Sequence, residues 1–268
     1  MSLSEEDYKF LHNLLSEERL KLLVDLTGSV ENAVNFHQEI FRLGTSLMGI
    51  TGIIELALRN SANDCLSEHF GKSDWFLESN AKFKPSEKER RSVNMALNHA
   101  RRAKYAKLIQ SEKRDLINLA YPNNIPEGIK KGKLLNKQLE QIVVSEGKVI
   151  AELTINFWKG LYSSRHADLL WKTSLKKTFP NKSINRAEVA DSLEIIYQTR
   201  NRLAHLEPVY GWRMDRVLGA IEFIIKNLKN KNVSNDSGLV KILRTEIDEI
   251  KLKSKEFDKK ILQYKDKT

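Results

Sequence analysis

The feature that most constrains the fold is a helical hydrophobic pattern that continues from Ser29 to Phe70. Along one face of this segment, residues at helical spacing form a stripe: Ile40, Leu47, Thr51, Ile54 and Leu58. Gly71 follows as the expected stop. The 268 residues include only 5 Pro and 12 Gly, and no stretch alternates like a strand between turn dipeptides. Few turn residues and the absence of a strand pattern therefore predict an all-α protein.

Helical patterning also covers most of the remaining chain. We expect Trp75 and Phe76 to tuck into the core, and residues 121–132 to form the clearest loop and the best candidate hinge. Further helices are predicted from Ser4 to about Leu26, Glu87 to about Gln110, Leu134 to Val144, Lys148 to Tyr162, Arg186 to about Leu206, and Arg213 to Leu228.

The end of the chain has a different pattern. We expect one all-α domain over 1–229, a linker over 230–238 and an amphipathic helix over 239–268. In this helix a heptad seam, interrupted by Ser254, is formed by Val240, Leu243, Ile247, Ile250, Phe257, Ile261 and Tyr264. The seam predicts either a dimeric coiled coil or a helix packed on its own domain. Ser254 favours the second.

The net charge of +10 is unevenly distributed along the chain. Residues 1–81 carry 6 Lys/Arg against 13 Asp/Glu, whereas residues 82–114 carry 11 against 3 and residues 130–186 carry 12 against 4. Basic blocks of this density attract polyanions, nucleic acid above all, through contacts with phosphate. The alternative is a set of solvated helix faces, which charge alone favours over an RNA-binding surface.

The cysteine content and the N-terminal residues indicate in which cellular compartment the protein is expected. Cys65 is the single cysteine, which excludes an intrachain disulfide and fits a small core residue in a reducing compartment. The first residues are acidic and lack an apolar centre, so we expect no signal peptide. No uninterrupted apolar run approaches membrane-spanning length. The expected location is cytoplasmic, with no membrane partner.

The strongest candidate for chemistry lies at the end of a predicted helix, in the segment Arg200-Asn201-Arg202-Leu203-Ala204-His205-Leu206-Glu207-Pro208. An arginine holds phosphate by forked hydrogen bonds, and a histidine moves a proton near neutral pH. Residues five apart on an ideal helix diverge by about 140°, so Arg200 and His205 cannot both face one phosphate. Either the helix loosens before Pro208, or two copies of the motif form a composite site. The alternative is a helix end whose arginines pair with carboxylates such as Glu207.

Other segments accompany this motif in a recognisable order: Ile54–Asn60, Gly71 with Trp75-Phe76, Val149–Trp158, and Trp171 to Phe179-Pro180. Together with Arg200–Pro208 they resemble Abi-like (AbiD/AbiF type) abortive infection proteins, a bacterial branch of the HEPN (higher eukaryote and prokaryote nucleotide-binding) superfamily. The resemblance covers about residues 40–225. Leu206 stands where the family often has a second histidine.

The resemblance implies an all-α, HEPN-like helical bundle with additional N- and C-terminal helices. It also implies a metal-independent endoribonuclease that acts in phage defence or as a toxin, as a homodimer with a composite active site. Arg200, Asn201 and His205 would be catalytic, with Arg202, Glu55 and Arg59 binding phosphate or supporting the site. For Glu55 and Arg59, one helical turn apart, a structural ion pair is favoured over a site role.

The remaining residues point to neither metal nor cofactor. The six histidines are scattered and no Cys/His cluster has ligand spacing, and no Gly-rich phosphate loop is present. Trp158, Tyr162, Trp171 and Trp212 are expected in the core more than on a base-stacking surface. The expected partner is RNA, with a regulatory RNA or protein as a further partner. A non-catalytic module that binds RNA or protein is the alternative function.

Overall fold

The computed structural model describes residues 3–77, 84–232 and 235–265, and every regular element within these ranges is helical. The prediction of an all-α protein is confirmed. The helices are α1 (Glu5–Leu15), α2 (Glu17–Thr27), α3 (Val30–Phe70), α4 (Glu87–Tyr105), α5 (Gln110–Ala120), α6 (Lys131–Glu140), α7 (Glu146–Glu152), α8 (Ile155–Gly160), α9 (Arg186–Ala204), α10 (Trp212–Asn227) and α11 (Gly238–Lys265). Short 3₁₀ and π turns cover Ser164–His166, Ala167–Trp171 and Leu175–Thr178.

The long helix α3 forms as its pattern predicts. The Ser29 hydroxyl accepts a hydrogen bond from the Asn32 amide at its start, and Gly71, with φ 69°, follows its end. Every residue of the predicted stripe is buried: Ile40, Leu47, Thr51, Ile54 and Leu58. Burial of this stripe is the main reason why so long a helix is stable, because most helical stability in proteins comes from packing rather than propensity.

Three predicted helices do not run through as expected. The helix expected from Lys148 to Tyr162 is divided at Leu153 and Thr154 into α7 and α8. The helix expected from Ser4 to about Leu26 breaks at Ser16, whose φ of 72° interrupts the turn and whose hydroxyl caps α2 at the Arg19 amide. The helix expected from Glu87 to about Gln110 ends at Tyr105, and α5 starts at Gln110. Local capping and backbone geometry, rather than the hydrophobic pattern, decide where these helices end.

The chain divides into two compact units, and the boundary falls within α3. Unit 1 consists of Met1–Leu58 and Lys176–Thr268. In it α9 packs on α10, α10 on α11, and α11 on α2. The α3 residue Gly44 allows close approach of α9, since a Cβ there would meet Leu203 Cδ2 at 3.1 Å. The candidate motif at the end of α9 belongs to this unit.

Unit 2 consists of Arg59–Leu175. Here α4 packs on α6, α7 and α8, and α5 packs on α6. Trp75 and Phe76 are fully buried, as predicted, and the Trp75 indole donates to Asn63 Oδ1 at 3.0 Å. Trp158, Tyr162, Trp171 and Cys65 are also buried, as expected.

The C-terminal helix α11 packs on its own unit. The seam residues Leu243, Ile247, Ile250, Ser254 and Phe257 are buried. The Phe257 ring lies 5.0 Å from that of Phe36 and 5.5 Å from that of Tyr210. Lys260 Nζ pairs with Glu39 at 2.6 Å. The heptad seam is therefore covered within the chain, which confirms the second of the two predicted arrangements.

By length and composition alone, α3 could cross a membrane. It contains an 18-residue window with a mean hydropathy of 1.4, of which 33% is buried. The expectation that no uninterrupted apolar run approaches membrane-spanning length is not contradicted, because Arg42 and Glu55 bound the uncharged part of this helix. One such helix is weak evidence for a membrane, since the core helix of a helical bundle passes the same test.

Candidate functional site

The motif lies at the C-terminal end of α9. Asn185 starts the helix with a capping box, in which its side chain accepts from the Glu188 amide and the Glu188 side chain accepts from the Asn185 amide. At the other end His205 is the C-cap, with φ −91° and ψ 10°. Leu206 then adopts the left-handed region, with φ 54°. The helix therefore stops just before Pro208, as the sequence predicts.

The turn that ends α9 is a Schellman motif built without glycine. The Glu207 amide donates to Arg202 O at 2.8 Å, and the Leu206 amide donates to Leu203 O at 3.0 Å. A leucine in the left-handed region carries a conformational cost of about 1 kcal/mol. The strain lies at Leu206, directly after His205.

Arg200 is held by an acidic residue of α3. Its Nη2 atom lies 3.1 Å from Oε2 of Glu55, and the two side chains are 35% and 15% exposed. The Nε atom of Arg200 is buried without a hydrogen-bond partner. The guanidinium is therefore positioned by Glu55, and its exposed part is open to another acceptor.

Arg202 is paired as well. Its Nη2 atom lies 3.0 Å from Oε2 of Glu207, and both side chains are exposed by 40% or more. This ion pair agrees with the alternative interpretation of the motif, in which its arginines pair with carboxylates such as Glu207. An exposed pair of this kind contributes little to stability, about 0–1 kcal/mol. A phosphate would compete with Glu207 at small cost.

His205 has the freest side chain of the motif. It is exposed, and within the described residues its imidazole makes no hydrogen bond or ion pair. Asn201 is half-buried one turn earlier. No hydrogen bond or ion pair in the described part of the chain joins Arg200 to His205. The motif thus places an imidazole and a guanidinium on the same helix end without bringing them into contact.

The expected ion pair between Glu55 and Arg59 is replaced by other contacts. Glu55 binds Arg200, whereas the Arg59 guanidinium donates to Asn60 Oδ1 and to Ala151 O, both at 3.4 Å. Helical spacing favoured the local pair, but tertiary packing supplied each side chain with a different partner. Glu55 is therefore close to the motif, and Arg59 belongs to unit 2.

One aromatic residue departs from the expectation that the tryptophans are buried. Trp212 is 63% exposed at the start of α10. The Arg213 guanidinium lies 4.9 Å from the centre of its ring. A flat, exposed indole beside a cation is a surface on which a nucleobase can stack.

Sequence reasoning missed a cavity that adjoins the motif in unit 1. Its volume is about 300 Å³, and its walls come from α2, α3 and the turn after α9, including Leu203, Leu206, Glu207 and Pro208. The one signal available in the sequence was Leu22, a large apolar residue of α2 that is 75% exposed in the structure.

Sequence reasoning also missed a buried pair in unit 2. His166 was expected in a short polar segment, but it is 2% exposed, and its Nε2 atom lies 2.6 Å from Oε1 of Glu89. Burial acts to raise the pKa of Glu89. Hydrogen bonds from His166 and Ser86, with electrostatic attraction to His166, outweigh burial and hold the pKa below its ordinary value of 4.5.

Most of the excess positive charge resides in unit 2, which carries 21 Lys/Arg against 13 Asp/Glu. Several of these side chains are exposed and make no hydrogen bond or ion pair within the described ranges: Arg102, Lys107, Arg114, Lys130, Lys131 and Lys133. Lys130 caps α6 and Lys131 begins it, and no acidic residue occupies its first turn. A positive charge at a helix N-terminus interacts unfavourably with the helix dipole, so these lysines do not stabilise α6.

Among the described residues, no group of three or more His, Cys, Asp or Glu is arranged to hold a metal ion. Comparisons of the chain with models of protein families, with curated proteins and with solved structures find no match. The resemblance to Abi-like HEPN proteins stays a prediction that rests on the sequence motifs.

Proposed function

We propose that this protein is a metal-independent endoribonuclease of the HEPN type, an Abi-like protein that acts in phage defence by abortive infection or as a toxin in the cytoplasm. The observation that carries the proposal is the exposed imidazole of His205, which has no hydrogen bond or ion pair among the described residues. It lies at the end of the helix that also bears Arg200 and Asn201. A purely structural helix end has no need of a free histidine beside two arginines.

The chemistry follows from the groups present. RNA supplies its own nucleophile, the ribose 2′-hydroxyl. A histidine takes the proton of this hydroxyl as its oxygen attacks phosphorus, the bond from phosphorus to the 5′-oxygen breaks, and a protonated histidine gives a proton to that oxygen. Arg200 and Arg202 stabilise the charge on the phosphoryl oxygens, and Asn201 orients the phosphate or the imidazole. The products are a 2′,3′-cyclic phosphate and a 5′-hydroxyl.

One copy of the motif offers one histidine, whereas the reaction uses a base and an acid. In a homodimer with two facing motifs, His205 of one protomer serves as base and that of the other as acid. The same arrangement solves the geometric problem of the helix, since Arg200 and His205 of different protomers can face one phosphate although those of one helix diverge. Glu55 orients Arg200 through a 3.1 Å ion pair and competes with phosphate for its positive charge.

Unit 2 would supply affinity for RNA. Its exposed lysines and arginines bind phosphate without reading sequence. Lys130 and Lys131 stand at the start of α6, where their charge is unfavourable for the helix, and a bound phosphate would offset that cost. Trp212 would stack on a base in unit 1.

A non-catalytic module that binds RNA or protein is the second candidate. The pairing of Arg200 with Glu55 and of Arg202 with Glu207 favours it, because both motif arginines already have carboxylate partners. Such a module needs the basic surface of unit 2 but not the free imidazole of His205.

The test is cleavage of total RNA by the purified chain in EDTA, with analysis of the product ends. The variants are Arg200→Ala and His205→Ala. The matched controls are Arg216→Ala and His69→Ala, which remove exposed side chains of the same type outside the motif. We expect cyclic phosphate ends from the wild type and both controls, and a loss of at least about 100-fold in both motif variants.

Equal activity in motif variants and controls would refute the site. RNA binding without cleavage by the wild type, unchanged in His205→Ala, would support the second candidate. Growth arrest on expression in cells, present for the wild type and absent for His205→Ala, would distinguish a nuclease awaiting its trigger from a binding module.

A further inference from the structure

The cavity of about 300 Å³ in unit 1 is lined mainly by apolar side chains. Several of these side chains are exposed although large, among them Leu22 at 75%, Phe41 at 53% and Leu206 at 57%. Ligand pockets generally combine such an apolar lining with a few well-placed polar groups, and they range from roughly 300 to 1,000 Å³. The volume therefore fits a small ligand with a single short chain or ring.

The only cation in the lining of this cavity is Arg19 of α2. Its Nη1 atom donates to Leu206 O at 3.3 Å, and within the described residues no carboxylate pairs with it. His37, also in the lining, contributes no charge at neutral pH, because burial and the nearby positive charge of Arg19 lower its pKa. Glu207, the acidic residue of the lining, is neutralised by Arg202. The cavity thus presents one uncompensated positive charge beside an apolar interior.

We propose that this cavity binds a small amphipathic carboxylate, with its apolar chain among Leu23, Ile40 and Met48 and its carboxylate on Arg19. The charge complementarity selects this occupant. A carboxylate can accept a charge-assisted hydrogen bond from the exposed guanidinium of Arg19, which a neutral apolar ligand cannot do.

Such a ligand would act on the turn that ends α9. Leu203, Leu206 and Glu207 all line the cavity, and Arg19 already contacts the carbonyl of Leu206. Leu206 is in the strained left-handed region directly after His205. Occupation of the cavity would therefore stabilise one conformation of the segment that carries His205. Binding itself does not depend on the proposed nuclease activity, whereas any effect on RNA cleavage does.

The experiment is calorimetric titration of the full chain with decanoate below its micelle concentration, beside decanol as the neutral probe of equal chain length. Arg19→Gln removes the charge at the cavity, and Lys21→Gln removes an exposed charge from the same helix outside it. Thr45→Phe fills the cavity from an exposed position on α3. Urea unfolding of each variant confirms that it is folded.

We expect saturable decanoate binding by the wild type and by Lys21→Gln, about tenfold weaker binding by Arg19→Gln, and none by Thr45→Phe. Decanol should bind more weakly than decanoate and without dependence on Arg19. Absence of saturable decanoate binding, or binding that survives in Thr45→Phe, would overturn the proposal. A dimer in sedimentation that Leu22→Glu dissociates, together with absent decanoate binding, would also overturn it and assign this face to a second copy of the chain.

Discussion

The guanidinium of Arg200 and the carboxylate of Glu55 form an ion pair of 3.1 Å that joins α9 to α3 within unit 1. Glu55 is the more buried partner, at 15% exposure. Removal of Arg200 alone would leave a largely buried carboxylate without its cation, at a cost of about 1–3 kcal/mol. Loss of activity in Arg200→Ala therefore combines a catalytic with a structural effect, and variants of Glu55 are needed to separate them.

Glu55→Gln should release Arg200 from its charged partner while keeping a side chain of the same shape. We expect the free energy of unfolding, measured by urea titration, to fall by about 1 kcal/mol, because a charge-assisted hydrogen bond is replaced by a neutral one. RNA cleavage in EDTA should be retained or rise several-fold, because the carboxylate of Glu55 no longer competes with phosphate for the guanidinium of Arg200. Abolished cleavage in a variant that remains folded would show instead that Glu55 is required to position Arg200.

Leu206→Gly should stabilise the chain by about 1 kcal/mol, because glycine adopts the left-handed region without the steric cost that leucine carries at φ 54°. Leu206→Val is the matched variant and should destabilise it, since a branched Cβ is still less compatible with that region. The midpoints of urea unfolding measure both. If glycine gave no gain, the strain at the end of α9 would be offset by packing of the leucine side chain.

The pair of Glu89 and His166 should make unit 2 sensitive to acid. The pKa of Glu89 is lowered in the folded chain, so its contribution to stability is present above the ordinary value of 4.5 and is lost as pH falls through the lowered value. We expect Glu89→Gln to lower the unfolding free energy by about 2–3 kcal/mol at pH 7. The difference in unfolding free energy between wild type and variant should become smaller towards pH 3. A constant difference between wild type and variant over that range would contradict this assignment.

The basic residues at the start of α6 should contribute to RNA affinity through phosphate. Replacement of Lys130, Lys131 and Lys133 by Gln should reduce the slope of log affinity against log salt by about 2, at roughly 0.7 per contact with a single strand. The control replaces three exposed lysines of α11, Lys241, Lys255 and Lys259. Filter binding of single-stranded RNA at several salt concentrations provides the measurement, and equal slopes in the two triple variants would argue against a unit 2 surface.

Sequence patterns predicted elements that depend on local signals. The stripe of α3, the burial of Trp75 and Cys65, and the end of α9 before Pro208 were all predicted. The patterns did not reveal the break at Ser16, because the hydrophobic period continues through it while the backbone turns to φ 72°. Nor did they place Trp212 at the surface, because exposure depends on which neighbouring helix covers a given face.

The sequence by itself determined that this protein is all-α, where its main helices lie, and that Arg200, Asn201 and His205 share one helix end. These properties follow from periodicity and capping, which act within a few residues of the chain. Only the tertiary structure decided that Glu55 binds Arg200 rather than Arg59, that Glu89 is buried on His166, and that Arg19 borders an apolar cavity. Each of these arrangements involves residues far apart in the sequence. They are brought together by the packing of apolar helix faces, which does not depend on where the charged residues lie.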